Sequence, residues 1–134
     1  MKDVIFDDFQ NAVDNSLLRH KSILDIMSKL QESEGRINRA VTKSATNCGC
    51  IKIEGTKQNV PHEDDDIDID AIKKLLKTQI KGTLCENCRE IISSEIGNNI
   101  FYLAALCNVL DLNLYDILLK EYDKINTLGQ YSFR

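Results

Sequence analysis

Tryptophan is absent from these 134 residues, and only one proline and two histidines occur. No run of 18 or more apolar residues exists, which excludes a single transmembrane helix. The N-terminus reads Met-Lys-Asp-Val-Ile-Phe-Asp-Asp, where acids interrupt any apolar core of a signal peptide. These two absences predict a cytoplasmic protein, in a compartment that keeps thiols reduced. A positive charge excess is also missing: the net charge is −4. That balance argues against a dedicated nucleic-acid binder, which needs a basic face. The basic residues Arg36, Arg39 and Lys43 cluster locally and read as a solvated helix face. Abundant Lys, Ile and Asn beside absent Trp suit an AT-rich bacterial genome.

Charged residues make up 28% and the hydrophobic class 43%, enough to bury one modest core over residues 1–134. No proline interrupts the stretch from about Asp7 to Thr46. Phe6, Phe9, Val13 and Leu17 step by three and four, and Ile23, Ile26, Leu30, Ile37 and Val41 continue in compatible steps. A break is expected near Asn15-Ser16 or His20-Ser22, because Asn and Ser favour caps. Ile51–Glu54 alternates as a short strand does. A short helix is expected over Ala71–Ile80, with Ile72, Leu75, Leu76 and Ile80 inward and Gly82 as its stop.

The strongest helical rhythm spans Cys85 to Leu110, through Ile92, Ile96, Ile100, Leu103, Cys107 and Leu110. Asn113 can cap a last helix from Leu114 to about Leu128, with Leu114, Ile117, Leu118 and Ile125 inward and Gly129 closing it. The predicted fold class is all-α, an antiparallel helical bundle with a cysteine-bearing loop insertion over residues 47–88.

Four of the five cysteines lie in that insertion. Cys85-Glu86-Asn87-Cys88 has the spacing by which two sulfurs grip one ion from a tight turn, at a helix start where N–H groups favour thiolates. Cys48-Gly49-Cys50 is closer, and Gly49 supplies the freedom to turn both sulfurs to one side. Together Cys48, Cys50, Cys85 and Cys88 predict a closed four-thiolate zinc site, structural because no position stays open for water. Three alternatives remain: a redox pair at Cys85 and Cys88, unrelated buried thiols, or His62 in place of one thiol. Cys107 sits on an apolar face and reads as core.

Glu63, Asp64, Asp65, Asp66, Asp68 and Asp70 form an acidic run. It lacks the glycine of a calcium loop, and Leu75 stands where that loop needs Glu. It reads as a solvated linker that caps the next helix.

Two further segments carry a family likeness. The stretch Glu95-Ile96-Gly97-Asn98, then Phe101-Tyr102-Leu103-Ala104-Ala105-Leu106, then Lys124-Ile125-Asn126, resembles the second half of the MazG-like nucleotide pyrophosphohydrolases. Leu30-Gln31-Glu32-Ser33-Glu34-Gly35-Arg36-Ile37 is similar to their first motif. The resemblance covers about half the chain. It implies a helical bundle, a nucleotide ligand and a homodimer or higher homo-oligomer. It also implies carboxylates on facing helices that hold magnesium, with Glu32, Glu34, Glu95 and Asn98 as the candidate catalytic residues.

The motifs depart from the family's pattern. Glu32 and Glu95 are retained, but Ser33, Arg36 and Asn98 stand where the family has acids. Magnesium prefers charged oxygens, and Arg36 adds a positive charge where a cation would sit. The expectation is therefore a non-catalytic protein of MazG-like architecture, with a structural zinc site, a binding or regulatory role, and Glu32 and Glu95 in salt bridges instead of catalysis. The alternative is a pyrophosphohydrolase with a rearranged acidic site.

Overall fold

The computed structural model describes residues 2–59 and 69–132. Pro61, His62, Glu63, Asp64, Asp65, Asp66 and Asp68 lie outside the described residues.

Among the described residues, five helices and one two-stranded ribbon follow in order: α1 (Lys2–Ser16), α2 (Ile23–Lys43), β1 (Ile51–Ile53), α3 (Ile69–Leu75), β2 (Ile80–Gly82), α4 (Glu86–Val109) and α5 (Leu114–Ser132). The fold is all-α, as the apolar periodicity predicts. The expected break after α1 falls between Leu17 and Ser22. Ser22 caps α2 there by accepting the backbone N–H of Leu24 through its hydroxyl.

The centre of the molecule is the α2–α4 pair. Ser33 meets Asn99, Arg36 meets Glu95, and Cys48 meets Cys85. Rising numbers on one partner against falling numbers on the other make the pair antiparallel. Val13, Ile26, Ala104 and Ala105 form the core, with Phe9, Leu17, Phe101, Leu106 and Leu114 packed around it. Ala104 and Ala105 are fully buried, and their small side chains let α1 and α2 approach α4 closely. The predicted α4 stripe is only partly inward: Ile92 and Cys107 are buried, while Ile96, Ile100 and Leu103 stay 38–43% exposed.

A buried polar clamp fixes the far end of the bundle. Gln10 donates to the Asn108 side chain (3.0 Å) and to the Leu112 carbonyl (3.1 Å). Its own side-chain oxygen accepts the Leu114 N–H at 2.7 Å, and Asn108 donates back to the Gln10 carbonyl. Asn113 caps α5 by accepting the Asp116 N–H, as its sequence position suggests. Asp111 takes the left-handed conformation in this turn (φ 56°). The chain bends by 108° here, so α5 crosses the bundle end instead of lying along α4. Ile117, Leu118 and Ile125 consequently remain 43–54% exposed. No single helix among the described residues is long and apolar enough to cross a membrane.

α3 ends at Leu75, and Ile80 belongs to β2, short of the predicted single helix to Ile80. Gln58 pairs twice with the Lys77 backbone, and Gln79 adopts φ 62°. Tertiary pairing thus overrides local helix preference there. α5 runs through Gly129 to Ser132, because a glycine costs a helix only about 1 kcal/mol.

Candidate metal centre

The site forms where α2 ends, α4 begins and the β ribbon joins them. The last turn of α2 widens into a π-turn over Ser44–Cys48, closed by the Gly49 N–H on the Ser44 carbonyl at 2.9 Å. Gly49 stands at φ 80°, a left-handed conformation that turns the chain back toward α4. Ser44 is 1% exposed, and its carbonyl also accepts the Cys50 thiol at 3.8 Å.

β1 and β2 pair antiparallel, with Ile51 opposite Gly82, Lys52 opposite Lys81 and Ile53 opposite Ile80. The facing lysines would repel, and Glu54 bridges both, at 3.1 Å to Lys52 and 2.8 Å to Lys81. Lys81, then Lys52, hold its carboxyl below the usual range. At the other end Gly82 adopts φ 84°, and a Cβ on it would stand 2.7 Å from the Cys50 carbonyl oxygen. The register therefore needs glycine at this position. It carries Cys50 beside the segment that leads into Cys85.

Cys85 is the N-cap of α4. Its Sγ accepts the Cys88 backbone N–H at 3.4 Å, the N–H contact expected of a thiolate at a helix start. The four sulfurs of Cys48, Cys50, Cys85 and Cys88 lie within 4.8 Å of one another. Cys48 is exposed and Cys88 buried. Cys48 Sγ and Cys85 Sγ stand 3.8 Å apart. The two predicted cysteine pairs thus come together in a cluster that could hold a metal ion. Cys107 is buried in α4 outside the cluster, and burial pushes its thiol up.

As free thiols Cys48, Cys85 and Cys88 titrate unequally. The Cys88 backbone N–H, then the Cys88 side chain, hold Cys85 down to about 7. Cys88 is pushed up to about 12: its largest single influence, Ser44, acts downward, but burial and the three neighbouring sulfurs outweigh it. Cys48 is raised, since Cys85, Cys50 and burial outweigh the lowering by the Cys50 backbone and Cys88. Of these three crowded thiols, Cys85 releases its proton readily while Cys48 and Cys88 hold theirs.

The candidate carboxylates lie further along the same helix pair. Glu32, Glu95 and Asn98 line one cleft of about 270 Å³, with Arg36 and Lys29. Arg36 Nε donates to Glu95 Oε2 at 2.8 Å, and Arg36 stands 3.9 Å from Glu32. Lys29 pairs with Glu32 at 3.3 Å. Glu34 is exposed and outside this cleft. Ser33 is 1% exposed, donates to the Leu30 carbonyl and accepts from Asn99 at 2.9 Å. Its place in the helix interface leaves no room for a longer acid.

Sequence reasoning passed over Ser44, Gln10 and Gly82 in their present roles. Only Gly82 carried a signal, as a glycine a few residues before Cys85. The chain matches no family model, no curated protein and no solved structure.

Proposed function

We propose that this chain is a non-catalytic helical protein of MazG-like architecture, clipped by one structural zinc ion and serving a binding or regulatory role. The observation that carries the zinc reading is the convergence of four sulfurs within 4.8 Å. Tetrahedral zinc with Zn–S near 2.3 Å sets sulfurs about 3.8 Å apart. The Cys48–Cys85 pair already stands at 3.8 Å. Four protein ligands fill the coordination sphere, so the ion pins α2, the ribbon and α4 together and activates no water. Thiolates of this kind suit a reducing compartment such as the cytosol.

The Arg36–Glu95 ion pair supports the non-catalytic part, because a guanidinium occupies the acidic cleft where magnesium would need charged oxygens. The test is incubation with a nucleoside triphosphate panel and magnesium or manganese. The expected result is no pyrophosphate above background. Turnover abolished by Glu95→Gln would overturn it.

The alternative is a metal-dependent nucleoside triphosphate pyrophosphohydrolase using Glu32, Glu34 and Glu95. Glu32 and Glu95 sharing one cleft favour it. Glu34 outside that cleft, and Arg36 within it, weigh against it.

A second copy of the chain is the proposed cover for α5, whose Ile117, Leu118, Tyr122 and Ile125 are 43–60% exposed at helical spacing. A stable interface needs about 800 Å² from each partner, more than one helix supplies, so the neighbouring exposed residues of α4 would join it. Light scattering should then give a dimer or larger; a monomer at all concentrations would contradict it.

A further inference from the structure

Arg39 and Lys43 lie one helical turn apart on α2. Both line the cleft of about 400 Å³ that also opens on Cys48 and Cys88. Both are exposed, and among the described residues neither has a hydrogen-bond or ion-pair partner. The third cation of this cleft, Arg36, is committed to Glu95 at 2.8 Å. Two uncommitted cations thus stand beside the sulfur cluster.

We propose that Arg39 and Lys43 are the counter-charges of the metal–thiolate centre. This rests on the zinc reading of the four cysteines. Four thiolates around one divalent ion carry a net charge of −2, partly withdrawn from water. Such a centre needs compensating positive charge, as any half-buried anion does. Two side chains of charge +1 bring it to neutrality. Neither can ligate the ion: guanidinium and ammonium groups are donors only. They act on the filled centre as positioning charges, by offsetting its net negative charge across the cleft. Once the centre is filled, the cleft's two free positive charges are matched.

The test is zinc affinity by competition with a chromophoric chelator at two salt concentrations. The proteins are the wild type, Arg39→Gln, Lys43→Gln, the double variant, Lys43→Arg, and Arg19→Gln as an exposed cation between α1 and α2. Each neutral substitution in the cleft should weaken zinc binding by about three- to tenfold, the effect of one charge facing a doubly negative centre across a solvated cleft. Lys43→Arg and Arg19→Gln should match the wild type. Added salt should weaken the wild type more than the double variant, because only the wild type has an attraction to screen. A wild type that binds one zinc tightly, with a double variant within about twofold of it and equally salt-sensitive, would overturn the counter-charge role and leave the zinc site standing. A wild type that takes up no zinc would remove both.

Discussion

The carbonyl oxygen of Cys50 faces the α-carbon of Gly82 so closely that a single added methyl would come within 2.7 Å of it. That contact sets the register of the β ribbon and so the position of Cys50 relative to the Cys85–Cys88 pair.

Gly82→Ala should therefore damage the site from outside it. The substitution meets a left-handed backbone (φ 84°) and a backbone oxygen that cannot swing away. A strain on the order of 1–3 kcal/mol is expected, relieved by opening the ribbon. Chelator competition should show weaker metal retention. Gly35→Ala is the contrast: its site in α2 is open, and Ala there should stabilise the fold by about 0.5–1 kcal/mol. Equal metal retention in the two variants would contradict the role given to Gly82.

Zinc affinity should rise with pH, and its slope should change near neutrality. All four cysteines must lose their protons to bind. Below about 7, Cys85 is protonated, and binding releases its proton along with those of Cys48 and Cys88. Above it Cys85 is already ionised, while Cys88, at about 12, and the raised Cys48 still hold theirs. Binding then releases one proton fewer. Affinity measured from pH 6 to 8 should thus climb less steeply above about 7, the slope falling by about one decade per pH unit. A pH-independent affinity would contradict a thiolate site.

Arg36→Gln should uncover the acidic cleft. It removes the guanidinium held by Glu95 at 2.8 Å and leaves Glu32 and Glu95 facing the same space. Manganese, followed by electron paramagnetic resonance, should bind the variant more tightly than the wild type. Equal binding would mean that the ion pair does not block a cation.

Gln10→Ala should be among the most costly polar substitutions. Gln10 is 7% exposed and satisfies Asn108, the Leu112 carbonyl and the Leu114 N–H at once. Leaving buried partners unpaired costs about 1–3 kcal/mol each, partly recovered by relaxation. Denaturant unfolding should show a loss of about 2–4 kcal/mol, against under about 0.5 kcal/mol for the exposed neighbour in Asn11→Ala. A loss equal to that of Asn11→Ala would remove the clamp as the cause of the α5 orientation.

The helices and the sulfur cluster are legible for different reasons. Val13 and Ile26 sit in apolar patterns of three and four, and that period is local, so α1, α2 and α4 can be read directly. Cys85 and Cys88 announce themselves by spacing and by the helix start. What could not be read depends on distant partners. Ile80 looks helical next to Leu76, but it pairs with Ile53 across the ribbon. Ile117 and Leu118 look like core, but the Gln10 clamp swings α5 across the bundle end and leaves them half exposed. The Arg36–Glu95 pair was legible as a conflict, a cation among acids, because both residues fall in segments that face each other on α2 and α4.

Elemental analysis of protein purified without chelator counts the zinc ion proposed at Cys48, Cys50, Cys85 and Cys88. About one zinc per chain is expected, lost when Cys85 and Cys88 are both replaced by serine and retained in Cys107→Ser. Protein without zinc that also fails to take it up on addition, or zinc that survives the double replacement, would contradict it.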